Sequence, residues 1–174
     1  MKKIVIVLAV FFSAFFSSCE GPQGIPGQNG LDGQDGLLSE VFESTISFSS
    51  VNNYSNVVVY PHSIYSSDMI LVYRLDNVVS GVDVWKSIPQ TYYFDDGTRD
   101  FSYNFAFTKF DVNIFMQGND LGTIPDQFRI NQTFRIVILP GFFANKSKRI
   151  VDLNDYNAVV KAFNIDDTKV NVLN

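Results

Sequence analysis

Between residues 40 and 140, apolar side chains recur at every second position, and this period decides most of what the chain can fold into. A strand turns successive side chains to opposite faces, so alternation marks sheets with one buried and one wet face. Phe42, Ile46 and Phe48 share one parity; Phe101, Tyr103, Phe105 and Phe107 alternate with Ser102, Asn104 and Ala106. Phe110, Val112, Ile114 and Met116 repeat the pattern with Asp111 and Asn113 facing out, and Phe134, Ile136 and Ile138 repeat it again. Val57 to Tyr60 and Met69 to Leu75 are continuous apolar runs, expected as central strands. Turn-forming stretches separate these segments at residues 52–56, Asp95-Asp96-Gly97 and Gly118-Asn119-Asp120. One stretch has a helical period instead: Tyr156, Val159, Val160 and Phe163 lie at i, i+3, i+4 and i+7 and form one apolar stripe. Asp152 or Asn154 is placed to cap its start, Asp155 suits the positive end of its dipole, and Asn164 is its expected stop. Residues 169–173 alternate as a last short strand. The expected fold is mainly β: an antiparallel β-sandwich of about seven to nine strands with one amphipathic helix near the C-terminus.

The first forty residues obey other rules. Lys2 and Lys3 precede an apolar run from Ile4 to Phe16, broken only by Ser13. This is the length of a signal-peptide core and short of the ~17–25 residues that span a bilayer. Ser17, Ser18 and Cys19 follow, and Cys19 is the sole cysteine of the chain. The pattern resembles a lipobox, in which the thiol takes a diacylglycerol and a peptidase cuts before the cysteine. It departs from the commonest form in having Phe16 where leucine usually stands. Stable anchoring takes two acyl chains or more, at ~0.8 kcal/mol per buried methylene. The expected layout is a lipoprotein signal peptide over residues 1–18, a lipidated cysteine and tether over 19–38, and a sandwich domain over 39–174.

The tether has its own signature. Gly21, Gly24, Gly27, Gly30, Gly33 and Gly36 make six Gly-X-Y triplets without a miss. A collagen triple helix needs this spacing because only hydrogen fits at its axis, and Pro22 and Pro26 favour its extended backbone. As a rod the segment would hold the domain ~55 Å from the membrane at ~3.1 Å per residue; as a flexible coil its ends would lie ~25 Å apart. Two prolines and several Gln, Asn and Asp residues make it marginal alone, so a homotrimer through this segment would need help from the domain.

Taken together, the apolar leader, the triplet run and the single β-rich domain resemble a family of collagen-like lipoproteins from flavobacteria and other Bacteroidota. The stretches DMILVYRLDNVVSGVDVWKSIPQTYYFDDGT and FRIVILPGFF carry the likeness, which covers the whole chain. The resemblance implies a cell-envelope location, at the outer membrane, and this layout. It implies no activity.

The remaining residues narrow the function classes. The net charge is −5, and the chain left after residue 18 has 11 basic against 18 acidic residues, which argues against nucleic acid and against docking on anionic lipid. One cysteine and one histidine exclude a disulfide framework and a Cys/His zinc site. His62 follows Pro61 in a presumed turn, and no nucleophile-elbow pattern stands beside it. No metal and no cofactor is expected. Asp95 to Thr98 offers oxygens suited to calcium, but Asp-Gly is first of all a hairpin turn. Trp85, Tyr92 and Tyr93 are candidates for a ligand-binding aromatic platform, set against the commoner role of such rings in a core. The leading expectation is a non-enzymatic, lipid-anchored display protein. The alternatives are a glycan- or protein-binding module and, more distantly, an envelope hydrolase.

Overall fold

A computed structural model describes residues 38–141, 151–168 and 170–173. The leader, Cys19, the triplet glycines and Lys169 lie outside the described residues. Among the described residues nine strands follow in chain order: β1 Glu40–Ile46, β2 Ser55–Val59, β3 Met69–Val79, β4 Val82–Ser87, β5 Gln90–Tyr93, β6 Arg99–Phe107, β7 Asp111–Gly118, β8 Gln132–Leu139 and β9 Asn171–Val172. They form two sheets. The first has the order β4-β3-β8-β1-β9 and the second β2-β7-β6-β5. Every pairing is antiparallel except β1 with β9, which is parallel. The mainly β sandwich expected from the alternation is the fold observed.

The alternating residues supply the space between the sheets. Phe42, Phe134 and Ile136 from the first sheet meet Phe101, Tyr103, Val112 and Ile114 from the second, all at most 2% exposed. Phe48 meets Phe134 edge-on with ring centroids 6.0 Å apart, and Tyr103 meets Phe134 at 5.9 Å. These edge-to-face geometries suit the positive rim and negative face of an aromatic ring.

The first sheet is buried on its other face too. The helix α2, Tyr156–Phe163, lies over it, after a one-turn helix α1 at Asp126–Arg129. Val41, Tyr73, Val137 and Leu139 form a second apolar cluster with Tyr156, Val159 and Ile165. This explains why the first half of β3 reads as a continuous apolar run, since a strand covered on both faces has no wet parity, and it corrects β8: the face opposite Phe134, Ile136 and Ile138 is not wet but buries Arg135, Val137 and Leu139. Of the helical stripe, Tyr156 and Val159 are fully buried, while Val160 and Phe163 are half-buried at its margin. The cap of α2 is Asp155, whose carboxylate accepts from the Ala158 N–H at 3.1 Å, rather than Asp152 or Asn154. Asn164 ends the helix in the left-handed region at φ 50°, as expected.

Three local expectations need correction. The run Val57–Tyr60 is not central, because β2 is an edge strand with Val57 and Val59 exposed and only Val58 and Tyr60 buried. Phe110 stands in the β6–β7 turn and is exposed, since β7 begins at Asp111. Ser55 and Asn56 belong to β2; the turn before them is made by Asn53 and Tyr54 at φ 53° and 52°.

Strand register gives the sandwich two ends. β1 starts beside Ile138 and finishes beside Gln132. The near end therefore holds Glu40, the β2–β3 connection, the β6–β7 turn and the end of β8. The far end holds the β1–β2 connection, the β3–β4 and β5–β6 hairpins and residues 119–131. β8 accompanies β3 only to Arg74, yet β3 and β4 stay paired out to Val79 and Val82, so this hairpin extends past its neighbour. Ser80 and Gly81 close it at φ 52° and 80°, the conformation that two-residue hairpin turns require.

Candidate functional site

The three aromatic candidates fall on three different surfaces. Trp85 is on β4, half-buried on the outer face of the first sheet, with the Arg135 guanidinium 4.1 Å from its ring centroid and Tyr156 at 6.0 Å. Tyr92 points into the space between the sheets and stacks on Phe101 at 4.5 Å. Tyr93, one residue on, takes the opposite parity and is 64% exposed. The structure does not assemble them into one platform: strand alternation separates Tyr92 from Tyr93, and Trp85 belongs to the other sheet.

His62 lies at the near end, exposed, with Nε2 3.0 Å from Glu40 Oε2. Asp95 to Thr98 forms the β5–β6 turn. Gly97 takes φ 83°, its N–H donates to the Phe94 carbonyl, and Asp96 accepts from the Thr98 N–H at 2.8 Å and its hydroxyl at 2.6 Å. These two bonds hold the exposed Asp96 carboxyl below its ordinary pKa. Among the described residues no group of three His, Cys, Asp or Glu side chains is placed to hold a metal, and no helix is long and apolar enough to cross a membrane.

Two arginines are the strongest polar features, and the alternation argument passed over both. Arg74 sits in the continuous run of β3 and faces the inter-sheet core, where it is 4% exposed. Its five N–H donors all find acceptors. Nε donates to Gln90, Nη1 to Gln132 and the Leu75 carbonyl, and Nη2 to Asp76 and, at 2.7 Å, the Tyr92 hydroxyl. Its guanidinium also lies 5.1 Å from the Tyr103 ring centroid. Burial alone would raise the Asp76 carboxyl; the hydrogen bond from Lys86 and the charges of Arg74 and Lys86 outweigh it and leave its pKa lowered. Burial raises Tyr103 far above a free phenol, with Arg74 opposing.

Arg135, one strand over on β8, faces the helix side. Nε donates to Glu43 at 2.8 Å on β1 and Nη1 to the Tyr156 hydroxyl at 2.8 Å, and that hydroxyl donates to Asp167 at 2.8 Å. Burial works against the Arg135 charge, and the bond to Glu43 with the neighbouring Tyr156 more than compensates, so its pKa is raised. Tyr73 anchors the same layer through its hydroxyl, which donates to the Leu153 carbonyl at 2.7 Å. The usable signal for both arginines was a single charge inside an apolar run, VYRLD and TFRIV. Such a charge folds only if its donors are paired.

Exposed apolar side chains stand at both ends: Val79, Val82, Tyr93 and Phe94 at the far end, and Val59, Tyr65, Phe107 and Phe110 at the near end. No family model, no curated protein and no solved structure matches this chain.

Proposed function

We propose that the chain is a lipid-anchored, non-enzymatic protein of a bacterial cell envelope, at the outer membrane, that displays its β-sandwich on a short tether. The observation that carries this reading is the position of the sole cysteine: Cys19 directly follows Ser17-Ser18 at the end of a signal-length apolar run. The likeness to collagen-like lipoproteins of Bacteroidota supports the same location. Within the sandwich, β1 begins at Glu40 at one end and four connections gather at the other. We further propose that the Gly-X-Y segment spaces the domain as a flexible tether on a monomer; the alternative is a homotrimer through this segment, which needs both a contact from the domain and the local concentration that anchoring supplies.

Cys19→Ser is expected to release the protein from the membrane fraction and to abolish labelling by a fatty-acid analogue. An unlipidated wild type that stays in the membrane would overturn the anchor. The mass of the detergent-solubilised protein, with circular dichroism for a collagen-like melt, decides between trimer and monomer.

The second reading, a protein- or glycan-binding module, is favoured by one observation: Tyr93 and Phe94 are adjacent aromatic side chains, both more than half exposed.

A further inference from the structure

The far end combines two features. The first is a pair of apolar hairpin tips. Val78, Val79 and Val82 project on the β3–β4 hairpin past the last pairing of β8, and Tyr93 and Phe94 open the β5–β6 turn. Both hairpins lead away from the same place, since Arg74 of β3 bonds Gln90 and Tyr92 of β5. The second feature is unneutralised negative charge. Among the described residues Asp83, Asp95, Asp96, Asp100 and Asp120 take part in no ion pair, whereas Asp76 is paired with Arg74 and Lys86, and Asp126 with Arg129. Arg99, the first residue of β6 and the cross-strand partner of Tyr93, is the one cation beside the β5–β6 turn.

The near end also exposes apolar side chains, Val59, Tyr65, Phe107 and Phe110, but one of its rings is met differently. The exposed ring of Phe110 already carries a cation, Lys109 Nζ at 4.8 Å from its centroid. No cation of the described residues lies over Tyr93 or Phe94. Exposed carboxylates attract Lys and Arg, open aromatic faces accept their charged heads, and valine tips accept their methylene stems and apolar neighbours. The same carboxylates repel anionic lipid and nucleic acid.

From this charge complementarity we infer that the far end, the two hairpin tips with their carboxylates, is a docking surface for a cationic protein segment in which Lys or Arg alternates with apolar residues. This deepens the display reading by naming the partner class, and rests on it only for the direction in which the far end faces.

The test uses the full-length protein in solution and a fluorescent peptide of alternating Lys and Val, followed by anisotropy at low and high salt. Saturable, salt-weakened binding is expected, and none to the matching Glu-Val peptide. Val79→Ser with Val82→Ser is expected to weaken binding at least tenfold, as is Tyr93→Ser with Phe94→Ser; the second pair keeps the test decisive if the first fails to fold. Asp83→Asn with Asp95→Asn and Asp100→Asn is expected to flatten the salt dependence. Absence of saturable binding overturns the inference. So does equal binding by the apolar variants, which would show attraction of charge alone. So does valine-dependent binding to phosphatidylcholine vesicles, which would make the tips a lipid-inserting surface. Because the readout needs no membrane, it is independent of the Cys19 result.

Discussion

The first sheet carries a core on each face, and each core closes over one arginine, but the two arginines are held in different ways. Arg74 is met by amide, hydroxyl and carbonyl oxygens and one carboxylate, all within or beside the sandwich. Arg135 is met by carboxylates from two distant parts of the chain, Glu43 and Asp167, and is covered by the rings of Trp85 and Tyr156. The inner arginine completes a core that already has both walls. The outer one ties the C-terminal segment onto the sheet. The same side chain therefore serves the whole sandwich in one place and a local attachment in the other.

The largest expected effect tests the inner core as the main source of stability. Phe134 is fully buried between Phe48 and Tyr103. Phe134→Ala is expected to cost ~3–5 kcal/mol, read from the urea midpoint, and to expose all described strands to hydrogen exchange together. A loss under ~1 kcal/mol would break the comparison.

A smaller effect is expected on the outer face. Arg135→Ala leaves Glu43 and Asp167 facing each other without a cation; both carboxylates reach solvent, so the cost falls to ~2–3 kcal/mol, below that of breaking a fully buried pair. Exchange should rise first over residues 156–163, with the second sheet unchanged. Arg135→Met, which fills the same space, is expected to recover part of the loss. Uniform exchange across both sheets would show that the outer arginine is global after all.

The smallest effect sharpens the inner site. Asp76 is held below its ordinary pKa in the folded protein, so the unfolded chain protonates first as pH falls. Its contribution is complete above the unfolded carboxylate value near ~4 and is lost as pH drops through the lower folded value. Asp76→Asn is expected to lower stability modestly at pH 7, where that contribution is complete, and to flatten this acid limb of stability measured between about pH 5 and pH 2. An unchanged limb would assign the acid sensitivity elsewhere.

How much of this was readable beforehand depended on burial symmetry. β6, β7 and β8 were legible because Phe101, Val112 and Phe134 each begin a clean alternation against a wet or differently buried face. β4 and β5 were not recognised: VDVWKS and QTYY are short, and their exposed valines and tyrosines follow no core parity. Val57 to Tyr60 looked central because an edge strand can carry apolar residues on its open face without betraying it. The helix was legible from its stripe, but a stripe does not rank depth: Tyr156 and Val159 sit at its centre and Val160 and Phe163 at its rim. The arginines were illegible for a different reason. A charge in an apolar run states only that partners must exist, and apart from Leu75 and Asp76 beside Arg74 those partners lie 16 to 92 residues away.

The position of β1 has a consequence for how the chain is made. The first strand to leave the ribosome lies between the last two, pairing Glu40 with Ile138 and Ile46 with Gln132 on one side, and Phe42 with Asn171 on the other. Residues 40–46 thus have no native strand partner until about ninety more residues have been synthesised, and their second edge stays open until nearly the end of the chain. Closure over such separations is slow compared with local hairpins. The nascent chain emerges with its first strand unpaired and the sandwich incomplete, the loose state in which a polypeptide can still be threaded through a narrow channel, until β8 supplies its partner.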